Sequence, residues 1–165
     1  MPDTHRTETE PRTQLFDQLS HVRAGMLGVE GSGAHMRPMT HFADRDKAVL
    51  WFITSRQTDL AAEVGQGATA HYCLVGEDTG YFACLRGAIR QSDNSEMLDE
   101  LWNAVAAAWF TGRDDPDLLL LEMSLRDGEV WSATDSRFQF GLEIARANLD
   151  RDAKPDIGAH TIVRF

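Results

Sequence analysis

The sequence predicts a mainly β (α+β) fold, a small antiparallel barrel of about six strands with peripheral helices. Three observations carry that reading. Strand-length apolar runs recur along the chain and are joined by hairpins or short loops, as in a sheet that curls on itself. No regular strand–helix–strand alternation is present, which disfavours a parallel doubly wound sheet. The 165 residues contain no internal repeat and no low-complexity linker, so one domain with its own core is expected.

Taken in order, residues 1–12 are polar, carry two prolines and are expected to form a disordered tail. The domain is expected to span residues 13–150. From Thr13, the apolar positions Leu15, Phe16, Leu19 and Val22 recur at helical spacing, and Gly25 is read as the helix stop. AGMLGVEG (24–31) and SGAHMRPMTHF (32–42) read as two strands around a Gly-Ser-Gly turn. After the turn ADRDK, AVLWFIT (48–54) is a strongly apolar strand. Residues 58–64 make a short helix stopped by Gly65 and Gly67. ATAHYCLV (68–75) and GYFACLRGAIR (80–90) are strands joined by the hairpin turn GEDT. Ser95 is read as the cap of a longer helix through residue 110, with Met97, Leu101, Trp102 and Val105 on one face. GRDDPD is a turn rich in the residues turns favour. LLLLEMSL (118–125) and VWSA (130–133) are strands about an RDGE hairpin. An amphipathic helix over 136–149 closes the domain, and residues 151–165 form a C-terminal tail.

Composition narrows the function classes. Apolar and charged fractions of 42% and 25% are those of a soluble globular protein. No apolar run is long enough to cross a bilayer, and the N-terminus lacks the apolar segment of a secretory signal. A cytoplasmic protein without a membrane partner is expected. A net charge of −10, from 26 acidic and 16 basic residues, opposes nucleic acid but leaves room for a small anion held by a few local donors. Cys73 and Cys84 match neither a disulfide framework nor a metal-binding spacing. They fall on neighbouring strands, face each other in one register only, and are read as two small core residues. The six histidines include no metal-binding pattern and are read as surface residues, so no metal site is expected. No nucleophile elbow, phosphate-binding Walker loop or dinucleotide fingerprint is present. Any difficult chemistry would then come from a bound cofactor.

Two segments carry candidate binding chemistry. In HMRPMT (35–40), Pro38 removes one ladder donor and marks an edge or irregular stretch, where Arg37 either meets a ligand or guards the edge against stray pairing. In WFITSRQTDLAAEV (51–64), Thr54, Ser55 and Thr58 supply hydroxyls at a helix start and Arg56 supplies a guanidinium. That pattern serves either as an anion cradle or as a plain helix cap. Asp59 opposes an anion, and the spacing of Leu60 and Val64 turns both inward.

These segments, in order with the strand ending LRGAIR, with LWNAVAAAWFTGRDDPDLLLLEM (101–123) and with GEVWSA (128–133), resemble a known family. The chain is similar over residues 15–149 to the flavin-binding split-barrel proteins related to pyridoxamine 5′-phosphate oxidase, in their general-stress-protein branch. The most specific part is the helix with AWF, a glycine, the DDPD turn and four leucines. The resemblance implies an antiparallel split β-barrel and a homodimer with FMN at the subunit interface. By position, Arg37, Pro38, Met39 and Thr40 lie on the strand that lines the flavin, and Ile53 and Thr54 end the next one. Thr58 falls at the hydroxyl that faces the phosphate and Trp131 at an aromatic near the flavin, and Ser55 and Arg56 join the candidate set for their own hydroxyl and guanidinium. Where the oxidase has two adjacent basic residues after that hydroxyl, this chain has Asp59 and Leu60. Pyridoxamine phosphate oxidation itself is not expected, because the oxidase's substrate-phosphate residues have no counterpart identified in this sequence. The resemblance leaves open an FMN-dependent oxidoreductase with a nicotinamide donor, a non-catalytic flavin carrier or redox sensor, and a barrel switched to haem or deazaflavin. For haem, His35, His41 and His71 are the candidate axial ligands.

Overall fold

The computed structural model describes residues 3–77, 80–102, 104–133, 144 and 158–165. Its strands are β1 (Ala24–Val29), β2 (Arg37–Thr40), β3 (Phe42–Asp44), β4 (Val49–Ser55), β5 (Ala68–Val75), β6 (Tyr81–Ser92), β7 (Leu118–Ala133) and β8 (Gly158–Arg164). The helices are α1 (Thr4–Thr9), α2 (Pro11–His21), α3 (Asp59–Val64), α4 (Ser95–Leu101) and α5 (Ala104–Trp109). All described strands join one antiparallel sheet in the order β2-β1-β5-β6-β7-β4-β3, with β8 added on β7. The sheet curls as a split barrel, the predicted class, with eight strands rather than six.

Side-chain alternation explains the curl. Along β6, Tyr81, Ala83, Leu85 and Ile89 are buried while Phe82, Arg86 and Arg90 are exposed, so one face of the sheet is apolar and closes on itself. Leu27, Phe52, Tyr72, Leu85, Leu121 and Met123 form the centre of the core. Leu15, Phe16 and Leu19 of α2 plug one end of it. A smaller cluster of Val49, Trp51 and Leu120 lies on the other side of the sheet, covered by Met97, Leu98 and Leu101 of α4. Among the described residues no helix is long and apolar enough to cross a membrane.

Several elements differ from the sequence reading, each for a local reason. The N-terminal residues fold as α1 instead of a tail. Asp3 caps that helix, and the Thr7 hydroxyl is buried between Gln14 Oε1 and Ser132 Oγ, each at 2.7 Å. Gly25 lies inside β1 and not at a helix end. A Cβ there would stand 2.5 Å from the Cys73 carbonyl oxygen and 2.7 Å from the Tyr72 ring, so only glycine lets β5 approach. The second predicted strand shrinks to residues 37–40, because Gly31 and Gly33 both take positive φ. Asn94, not Ser95, caps α4 through its side chain to Met97 N–H at 3.0 Å. The long helix is broken at Trp102, whose backbone is extended. RDGE is no turn: β7 runs unbroken for 16 residues, and Gly128 packs against Leu85 while Arg86 bridges Asp127 across the strands at 2.6 Å. The C-terminal residues supply β8. The predicted helix over 136–149 lies, except for Ile144, outside the described residues.

Candidate functional site

Among the described residues β2 pairs only with β1 and ends the sheet, where a proline is tolerated. Its Arg37 is not free. Nη2 meets Glu63 Oε1 of α3 at 2.7 Å, with the side chains 26% and 14% exposed. Glu63 Oε2 is buried with no hydrogen-bond partner among the described residues. Sequence reasoning missed Glu63, because nothing in its local pattern marks it as the partner of a residue 26 positions away.

A buried network fixes β2 from the other side. His41 is 7% exposed, which corrects its reading as a surface residue. Its Nε2 lies 2.8 Å from the Leu19 carbonyl and its Nδ1 2.6 Å from the Tyr72 hydroxyl. Tyr72 Oη also reaches the Met39 carbonyl at 3.0 Å. Burial lowers the His41 pKa, against a smaller opposing effect of the Leu19 carbonyl, and the neutral ring is the favoured form. With both ring nitrogens engaged, His41 does not offer itself as an axial metal ligand. The network ties the edge strand carrying Arg37, Pro38, Met39 and Thr40 to α2 and β5.

The helix-start segment resolves into a true cap. Thr58 is the N-cap of α3, with extended backbone. Its hydroxyl accepts from Ala61 N–H at 3.3 Å and donates to the Ser55 carbonyl at 2.8 Å. Thr54 Oγ1 stands 3.5 Å from Thr58 Oγ1. Ser55 Oγ accepts from Gln57 N–H, which leaves its own proton to donate. Arg56 is exposed, with a long 3.5 Å contact to Gln91 Oε1. Asp59 points to solvent, and Leu60 is 1% exposed in the main core. A basic residue at position 60 would therefore not reach a ligand in this fold. Ile53 packs on the smaller cluster.

Arg37 and the 54–58 segment are linked through α3. Glu63 lies five residues beyond Thr58 on that helix, about 7.5 Å along its axis. Trp131 is elsewhere. The ladder from Arg37 runs through Leu27, Tyr72 and Leu85 to Gly128, and Trp131, three residues further along β7, points to the opposite face of the sheet. Thr54 pairs with Leu119, and Trp131 lies a further twelve residues along β7, about 40 Å of strand. One chain thus links Arg37 to the 54–58 hydroxyls through Glu63 and α3, turns Thr40 to the opposite face of β2, beside α2, and leaves Trp131 outside this group. There Trp131 stacks on His160 at 5.2 Å and lines a cavity of about 450 Å³ with His71, Cys84, Arg86, Asp127 and Glu129.

Comparison with known proteins assigns this architecture. The family described as pyridoxamine 5′-phosphate oxidase like matches residues 10–156. The chain belongs to that family. General stress protein 26 of Bacillus subtilis (strain 168) is 28% identical over 126 residues, covering 74% of this chain and 89% of the relative. A solved structure assigned to general stress protein 26 of Jannaschia sp. CCS1 is 36% identical with a TM-score of 0.76, covering 95% of this chain and 99% of its own. The general stress FMN/FAD binding protein of Xanthomonas citri is 32% identical with a TM-score of 0.66, covering 74% and 89% respectively. The chain is thus similar to general stress proteins of the family, in sequence and in fold.

Proposed function

We propose that this protein is a flavoprotein that binds FMN between two copies of the chain. One observation carries the reading: a buried network and an ion pair hold Arg37 on the edge strand beside α3, whose start gathers three hydroxyls. Those groups fit a phosphate-bearing ligand. Ser55 and Arg56 have donors to turn toward it, and among the described residues the outer edge of β2 has no strand partner to occupy its backbone. The relative from Xanthomonas citri, named as an FMN/FAD binding protein, supports the same choice of ligand. Because Trp131 points to the face of the sheet opposite Arg37, the proposed site takes this aromatic from a second copy. Trp109, 82% exposed, provides apolar surface for such a contact.

Bound FMN would supply reversible electron transfer. The chain's own part is to hold it: Arg37 and Arg56 for the phosphate charge, Ser55 and Thr54 for its oxygens, and β2 for the ring edge. Asp59 weakens the seat, so binding is looser than with a basic pair. Titration of FMN fluorescence tests the reading. Quenching by the wild-type chain is expected, and Arg37→Ala should weaken it about 10–100-fold, the worth of one charge-assisted bond. A colourless protein that leaves FMN fluorescence unchanged would refute it. Bleaching of bound flavin by a nicotinamide donor without oxygen would then favour an oxidoreductase over a carrier or sensor.

A further inference from the structure

Cys73 on β5 and Cys84 on β6 are directly opposed in the ladder, and their Sγ atoms stand 3.3 Å apart. Both are free thiols and half-buried. Opposed residues of antiparallel strands have Cα atoms about 4.5–5.5 Å apart, inside the span of a disulfide. Closing the two sulfurs to the bond length of about 2.05 Å needs little more than side-chain rotation.

The surroundings add the rest of a reactive site. Cys84 lines the cavity beside Trp131, and its Sγ is 3.9 Å from His71 Nδ1. His71 Nε2 in turn lies 3.6 Å from Glu30 Oε2. Thiol, imidazole and carboxylate thus stand in line on the outer face of the sheet, with a second thiol beside the first. Burial pushes the Cys73 thiol up to about 12, and its neighbour Cys84 adds to that rise. Cys73 therefore stays protonated, and Cys84 is the sulfur that opens on the cavity.

We propose that Cys73 and Cys84 form a redox-active dithiol that a hydroperoxide converts to an intrachain disulfide, with Cys84 as the attacking sulfur and His71 as its base. Cys84 S–H gives its proton to His71 Nδ1. The thiolate attacks the terminal oxygen of the hydroperoxide, the O–O bond breaks, and the leaving oxygen takes the proton from His71 as an alcohol (water, for hydrogen peroxide). Cys84 is then a sulfenic acid. Cys73 attacks its sulfur, the S–S bond forms, and the hydroxyl departs with the Cys73 proton as water. Two thiols lose two electrons, and one peroxide bond is reduced. A reducing dithiol reverses the change by exchange. This chemistry needs no flavin.

The test uses the full-length reduced chain, hydrogen peroxide, and alkylation after denaturation. Before treatment both thiols of each chain should be alkylated. After it neither should be, the chain mass should fall by two hydrogens, and a non-reducing gel should show single chains. Dithiothreitol should restore both thiols. In Cys73→Ser, dimedone should capture a sulfenic acid at Cys84. His71→Gln should slow thiol loss at least about tenfold. Survival of both thiols overturns the proposal, as does a crosslink between two chains or a sulfinic acid on Cys84 beside a free Cys73. An unchanged rate in His71→Gln removes the base. The mass of the wild-type chain decides the disulfide even if a variant fails to fold.

Discussion

Asp59 and Leu60 open α3 side by side, yet the fold gives them opposite surroundings: Asp59 is exposed, and Leu60 is 1% exposed in the core. Lysine at each position therefore does different things. Leu60→Lys removes a buried leucine worth about 2–3 kcal/mol. It also brings an ammonium toward the core, which the flexible stem relieves only in part. The sum is about 4 kcal/mol. For a domain of this size, about 2–4 °C per kcal/mol makes that a fall in Tm of about 8–16 °C. Asp59→Lys loses only the favourable acid at the helix start, about 0.3–1 kcal/mol. It also replaces a repelling charge near the proposed phosphate by an attracting one. At about 1 kcal/mol for each charge in water, FMN binding should tighten about 5–30-fold at low salt and lose most of that gain at high salt. Thermal unfolding by circular dichroism without flavin reads the first effect, and FMN fluorescence titration at two salt concentrations reads the second. A Leu60→Lys protein with unchanged Tm and tighter FMN binding would refute the inward orientation of residue 60. An Asp59→Lys protein with unaltered affinity would place the phosphate away from the start of α3.

Other outcomes follow from the same packing. Gly25→Ala should cost about 1–3 kcal/mol, because its Cβ meets the Cys73 carbonyl and the Tyr72 ring; an unchanged melting curve would show that β5 retreats freely. Thr7→Val should cost about 1–3 kcal/mol by stripping Gln14 and Ser132 of a buried partner, and urea unfolding measures it. The His41 pKa is lowered in the fold, so the unfolded chain takes up its proton first as pH falls below the ordinary value of 6.5. Its stabilising contribution is intact above that pH and is lost as pH falls toward and through the folded pKa. His41→Phe should flatten that part of the stability–pH curve, even if the variant is less stable throughout; an unchanged slope would assign the loss to other groups.

Much of the barrel is legible in the residues. The alternation in ATAHYCLV and YFACLRGAIR marks β5 and β6, and the continuous apolar run at 48–53 marks a strand buried on both faces over residues 49–52. The i, i+4 spacing of Leu60 and Val64 already turns both into the core. The candidate site is legible as residue types but not as an arrangement. Arg37 and Glu63 are 26 positions apart, and no local rule pairs them. His41 looks like any exposed histidine until α2 and Tyr72 enclose it. The RDGE tetrapeptide has the composition of a turn. Pairing on both sides of β7, to β6 and β8, outweighs that local preference and keeps the strand continuous through it, with the register to β6 shifting at Arg126.

The sequence alone determined the class of fold, the positions of most strands, the family, and the absence of a basic pair at residues 59 and 60, because periodicity, turn chemistry and motif order are local properties of the chain. Only the tertiary structure decided the rest. It set the register that puts Cys73 opposite Cys84, the docking of α1 through Thr7, and the separation of Trp131 from Arg37. Each of these depends on contacts between residues distant in sequence, where a shift of one residue in strand pairing would turn every side chain to the other face.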